Sequence, residues 1–219
     1  SMLVKYCQYA KYENVRVTIP RTVVVATDYF DAFIRNNGLE YVLTTEMTDE
    51  EILSEFVSST LPYKLREALK AYVRTVSGPL AVRSSSKLED SHYQPFAGIY
   101  STYMIPYTEG NEDRQLRLLQ KAIKSVYAST YFAASKAYVQ SSQNLIAEEK
   151  MAVVIQEVCG TEQDGLFFPT LSGVARSINY YPIGDERAED GIASLALGLG
   201  KYIVDGGQTV SYTHLRAHE

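Results

Sequence analysis

Tryptophan is absent from this chain, and cysteine is limited to Cys7 and Cys159. Two cysteines so far apart form no metal-ligand spacing and imply no disulfide framework. No apolar run approaches the roughly 20 residues that cross a bilayer. Met2-Leu3-Val4 gives way at once to Lys5 and Tyr6, so no signal peptide is visible and a cytoplasmic location is the default expectation. An excess of basic charge is lacking too: 21 Lys and Arg stand against 26 Asp and Glu, a formal charge of −5. A general nucleic-acid binder needs clustered cations, so that class is set aside. Repeats and low-complexity linkers are also missing, which argues against a solenoid.

What is present is the composition of a globular protein. A length of 219 residues with 46% hydrophobic content suffices for one large domain or two small ones with a real core. The 18 tyrosines read as half-buried residues whose hydroxyls reach water. A sugar-binding or base-stacking surface would need them clustered, and the sequence does not cluster them.

The pattern mixes helices and strands without strict alternation. Thr22-Val-Val-Val-Ala-Thr27 follows Pro20 and reads as a buried strand. Asp28 is expected to cap a helix to about Asn37, closed by Gly38. Thr48 and Glu51 form a capping box for a second helix, and Pro62 suits the first turn of a third. Gly78-Pro79 ends that helix, and Leu80 to Val82 read as a strand. Ile99 to Ile105 is strand-like. Glu112 to about Ser141 gives the longest helical pattern, with Asn111, Glu112 and Asp113 at its positive end. Met151 to Ile155 is a second buried strand that runs on into Gln156, Glu157 and Val158. Gly173 to Ile178 and Ile192 to Leu197 look like two more. The fold class expected is α+β with two lobes, divided into residues 1–106 and 107–210. Residues 211–219 have no periodicity and are expected to be a frayed or foreign tail.

The stretch Leu80-Ala-Val-Arg-Ser-Ser-Ser-Lys-Leu-Glu-Asp90, followed by Phe96-Ala-Gly-Ile-Tyr100, carries the chemistry. A strand that ends on an arginine, then hydroxyls, then a glycine turn is suited to gripping a polyphosphate. Arg83 supplies a permanent charge with forked donors, and backbone N–H groups around Gly98 supply an anion nest. The plainer alternative for Arg83 is an ion pair with Glu89 or Asp90.

The ordered set Ala81-Val-Arg-Ser-Ser-Ser86, Glu89-Asp90, Phe96-Ala-Gly98, Val153-Val-Ile-Gln156, Ser172-Gly-Val-Ala175 and Gly198-Leu-Gly200 resembles a known family. It is similar to the nucleotide-binding region of phosphoenolpyruvate synthase and pyruvate phosphate dikinase, an ATP-grasp domain, over about Val15 to Val210. Tyr127-Ala-Ser-Thr-Tyr131 resembles the family's long-helix segment, with Tyr where Trp is common. The resemblance implies an ATP-dependent phosphotransferase that uses Mg²⁺. ATP would lie between two lobes, and a phosphoryl group would pass to a histidine on a separate swivelling domain and on to a phosphoenolpyruvate/pyruvate domain. Such transfer depends on positioning and charge neutralisation. The implied alternative is a degenerate nucleotide-binding module used for regulation or interaction.

Carried over by position, Arg83 matches the phosphate-binding arginine. Gly98, Ile99 and Tyr100 match the loop over the phosphates, with Ser101 and Thr102 as supporting hydroxyls. Gln156, Glu157 and Val158 match the strand that meets the adenine, although the residues alone equally describe a strand ending at a solvent edge. Gly198-Leu-Gly200 matches the turn before the family's glutamate. Here the chain has Lys201, which cannot ligate Mg²⁺ because hard oxygen donors are required. Lys201 is either a solvated charge in an inactive relative or a phosphate contact that takes over a catalytic role. Asp205 is the candidate replacement carboxylate. The resemblance puts the family's Gly-Gly-Lys stretch upstream of Met2 and the histidine domain beyond this chain, so the chain is expected to be an inactive piece of a larger enzyme. His92 is read as an exposed loop residue, and Cys159 as a small hydrophobe of the core.

Overall fold

The computed structural model describes residues 18–86, 100–141, 150–200 and 210–212. In chain order they form β1 (Thr22–Val25), α1 (Thr27–Asn37), a 3₁₀ turn (Leu39–Leu43), α2 (Asp49–Ser58), α3 (Tyr63–Val73), β2 (Leu80–Ser85), β3 (Tyr103–Ile105), α4 (Glu112–Ser129), α5 (Ala133–Ser141) and β4 (Ala152–Glu157). Then follow β5 (Thr161–Gln163), β6 (Leu166–Phe168), β7 (Leu171–Arg176), a short 3₁₀ turn (Ala188–Asp190), β8 (Ile192–Leu197) and β9 (Val210–Tyr212). The class is α+β, with several small sheets.

Local signals explain most element ends. Thr48 Oγ1 accepts the Glu51 N–H at 3.2 Å while Glu51 Oε2 accepts the Thr48 N–H at 2.8 Å, so the expected capping box is formed. Gly38, at φ 61°, takes the left-handed conformation that ends α1. Several expectations need correction. Cys159, read as a core residue, is exposed, and of the β1 strand read as buried only Val25 is. Ala26 occupies the cap position of α1 without a side-chain bond; Asp28 sits in the first turn, where the helix dipole favours a carboxylate. Pro62 is itself the cap residue of α3.

The long helical pattern is interrupted. α4 stops at Ser129 and α5 starts at Ala133. Asp49 Oδ1 accepts the Ala133 N–H at 2.8 Å and the Ser135 hydroxyl donates to the Ser129 carbonyl at 2.7 Å, so one N–H and one carbonyl at the break are satisfied by side chains. Tyr131, at the break, turns into an aromatic cluster with Phe30 and Phe56, ring centroids 6.3 and 5.4 Å away.

The main sheet has the order β1-β4-β2-β3, all pairs antiparallel. Successive side chains of a strand alternate faces. Leu80, Val82, Val153 and Ile155 are fully buried on one face and join the core formed by the helices. β4 lies inside this sheet, beside β1 and β2. The division expected between residues 106 and 107 therefore runs through one sheet and its helix layer.

Two smaller sheets follow. β5 and β6 form a hairpin turning on Asp164 and Gly165, both at positive φ (52° and 77°), as a two-residue turn requires. β7, β8 and β9 form an antiparallel sheet. A Cβ on Gly173 would lie 2.8 Å from the Ser194 carbonyl oxygen, so β7 and β8 approach too closely there for a side chain. β9 continues to Tyr212, past the limit expected at Val210. Among the described residues no helix is long and apolar enough to cross a membrane.

Candidate functional site

Register assigns the expected site residues to faces of the main sheet. Ala81 pairs with Gln156 and Arg83 with Val154; directly opposed residues share a face. Arg83 and Gln156 therefore stand on the face opposite the helix-packed core. Thr22 and Val24 of β1 share it, as does Met104 of β3. Val24 and Met104 are 59% and 54% exposed, so this face is open. The Gln156 amide donates to Thr22 Oγ1 at 3.0 Å, which fixes its orientation. Arg83 is exposed and forms no ion pair among the described residues. Glu89 and Asp90, its expected alternative partners, lie outside them.

The neighbouring expectations separate. Glu157 points to the other face, where its Oε1 lies 3.6 Å from Arg21 Nε. There Tyr72 has its phenol pKa raised, chiefly by burial and then by the Glu157 charge. The Glu157 N–H donates to the Arg21 carbonyl at 3.0 Å, and the Val158 N–H to the Pro79 carbonyl at 2.9 Å. Both backbone donors are thus used within the protein. Contact from this strand to a base would fall to acceptors or to the Gln156 amide. Tyr100 is 8% exposed and belongs to the core; Ser101 is half-buried and Thr102 exposed. Gly98, Ile99, Lys201 and Asp205 lie outside the described residues.

A cleft of about 730 Å³ opens at the β3 edge, bordered by Pro79, Met104, Val158, Gly165, Phe167 and Leu199. That volume lies within the range of small-molecule sites. Val158 belongs to the strand read as meeting the adenine and Leu199 to the Gly198-Leu-Gly200 turn; the hairpin residues Gly165 and Phe167 were not singled out in the sequence. Their signal was available in Gln163-Asp-Gly-Leu166, a short turn between strand-like pairs. Leu199 lies between Gly198 and Gly200, at φ 76° and 68°, so the expected turn is present. Arg83 does not line the cleft. Met104 pairs with Ala81, and Arg83 stands two residues further along β2, about 7 Å. Apolar walls for a flat ring and an exposed guanidinium on the same sheet face thus occur in succession. Among the described residues no group of three or more His, Cys, Asp or Glu is arranged to hold a metal ion.

Residues 5–218 match the family described as the pyruvate phosphate dikinase AMP/ATP-binding domain. The chain is 31% identical over 198 residues to a Bacillus subtilis (strain 168) protein called uncharacterized phosphotransferase YvkC, covering 87% of this chain and 20% of that protein. It is 29% identical over 215 residues to the phosphoenolpyruvate synthase of Aeropyrum pernix, covering 88% of this chain and 24% of the synthase. The chain thus spans about a fifth to a quarter of the length of these relatives.

Proposed function

Since the chain belongs to the pyruvate phosphate dikinase AMP/ATP-binding domain family, we propose that it binds ATP between the open face of the main sheet and the β5–β6 hairpin, in an ATP-grasp-like arrangement. The adenine occupies the cleft beside Met104, Phe167 and Val158. The phosphates extend along the sheet towards Arg83, with the Gly98 loop, Ser101 and Thr102 as further donors. The larger protein then passes a phosphoryl group to a histidine on another of its domains, with Mg²⁺ screening the phosphate charge. Phosphoryl transfer asks such a domain for positioning and charge neutralisation, and a permanent guanidinium charge carried on a sheet strand supports the second.

The observation that carries this reading is that Arg83 and Gln156 share the sheet face opposite the helix-packed core, next to a nucleotide-sized cleft. The test is thermal unfolding with ATP, with and without Mg²⁺. Ligand at about 100 times its dissociation constant stabilises a protein by about 2.7 kcal/mol, so a clear upward shift is expected. An unchanged midpoint at millimolar ATP defeats the reading.

Lys201 motivates a second reading, a nucleotide sensor without catalysis, because the family's glutamate at this position is replaced by a cation. Substituting Lys201→Glu in the full-length protein separates the two. If transfer of labelled γ-phosphate to protein rises sharply, the natural chain is the sensor. If existing transfer is lost, Lys201 serves catalysis.

A further inference from the structure

Asn37 and Gly38 form the one Asn-Gly pair in the sequence. Such a pair is chemically weak, because glycine has no Cβ to shield its backbone nitrogen from the neighbouring side-chain amide. The Gly38 nitrogen attacks Asn37 Cγ, the side-chain nitrogen leaves as ammonia with the proton from Gly38, and a cyclic imide remains. Water then opens either carbonyl of the ring, giving aspartate or the β-linked isoaspartate.

The fold holds both reacting groups. Asn37 is the last residue of α1 and is half-buried. Its Nδ2 donates to the Phe33 carbonyl at 2.8 Å and to the Thr60 carbonyl at 3.1 Å, while its Oδ1 accepts the Thr60 N–H at 3.0 Å. The Gly38 N–H is itself bound to the Arg35 and Ile34 carbonyls at the end of the helix. Attack therefore waits until these bonds open.

The two bonds to Thr60 also join the end of α1 to the segment between α2 and α3, 23 residues away. Leu39 and Leu61, which follow Gly38 and Thr60, are 2% and 3% exposed, so the clamp ties two points where the chain enters the core. An aspartate keeps an acceptor for the Thr60 N–H but has no donor. Its carboxylate would face two carbonyl oxygens, an unfavourable arrangement for a half-buried charge. An isoaspartate also adds a methylene to the main chain just before the left-handed Gly38 cap.

We propose that Asn37 is a deamidation site gated by the fold: it reacts only when the end of α1 opens, and the product cannot rebuild the Thr60 clamp. An opening that reacts is thereby made permanent. The site lies in the helix layer, away from the sheet face of Arg83 and Gln156, and does not depend on ATP binding there.

The test is peptide mass spectrometry on this chain after incubation at mildly alkaline pH, folded and in urea. In urea Asn37 should deamidate faster than any other asparagine. In the folded chain it should react at least about tenfold more slowly, since the rate follows the population of the open form. Leu61→Val should speed the reaction of the folded chain several-fold and leave the rate in urea unchanged. Asn37→Asp, which copies one product, should raise hydrogen exchange at the Gly38 and Thr60 amides by about tenfold or more. The proposal is overturned if the folded and urea-unfolded chains react equally fast, if Leu61→Val leaves the folded rate where it was, or if Asn37→Asp exchanges like the natural chain.

Discussion

The Ser172 hydroxyl donates to the Gly198 carbonyl at 2.5 Å, tying the start of β7 to the turn that follows β8. The Gly198 N–H returns a bond to the Thr170 carbonyl at 3.2 Å. The turn carrying Leu199 into the cleft wall is therefore held from both sides. Ser172→Ala should cost about 1 kcal/mol in denaturant unfolding and weaken ATP a few-fold by loosening that wall. A loss of stability with ATP affinity intact would separate the turn from the nucleotide site.

Arg83 is exposed, so replacing it should leave unfolding within about 0.5 kcal/mol of the natural chain. Its proposed contact with phosphate is charge-assisted, worth about 1.5–3 kcal/mol, so Arg83→Gln should weaken ATP by roughly 10- to 100-fold. Arg83→Lys should recover only part of that, because a point charge lacks the forked donors. Equal ATP affinity in all three proteins, measured by calorimetry, would remove the phosphates from this face.

The parts of this architecture that were legible in the sequence are those set by neighbours in the chain. The Thr48–Glu51 box and the Gly38 stop are local chemistry and formed as expected. The break between α4 and α5 depends on Asp49, 84 residues from Ala133, and helical spacing cannot show a cap supplied from so far away. The central place of β4 between β1 and β2 is likewise a property of assembly. For the candidate site the sequence shows the motifs but not the faces on which their side chains stand. Gln156 and Glu157 are consecutive in a strand, so their side chains must diverge; the structure puts Glu157 with Arg21 and Tyr72. Tyr100 follows the glycine loop in sequence, yet its ring is drawn into the core.

Tyr127 is fully buried, with its ring edge-on to Phe30 at 5.1 Å and tilted against Phe33 at 5.5 Å. Its hydroxyl has no partner among the described residues, and burial raises its pKa well above the ordinary phenol value. Tyr127→Phe removes an unpaired polar atom and keeps the ring contacts. The variant should unfold at equal or higher denaturant, by up to about 1–3 kcal/mol. A clear destabilisation would show that the hydroxyl has a partner after all.

Glu51 has its carboxyl pKa held below the ordinary value, first by the Thr48 backbone N–H and then by the Thr48 hydroxyl. A lowered folded-state pKa means that the unfolded chain takes up the proton more readily. The resulting stability is present above the unfolded glutamate value, about 4.3, and is lost as pH falls through the folded one. Protonation there leaves only a neutral, weaker acceptor for the Thr48 N–H and removes the favourable charge at the start of α2. Glu51→Gln keeps an acceptor oxygen but no titrating charge, so its unfolding midpoint should fall less steeply than that of the natural chain as pH drops below about 4. Above that range the variant should be less stable, and the two curves should converge in acid. Parallel curves across the whole range would mean that the Thr48–Glu51 box contributes nothing that depends on the carboxylate charge.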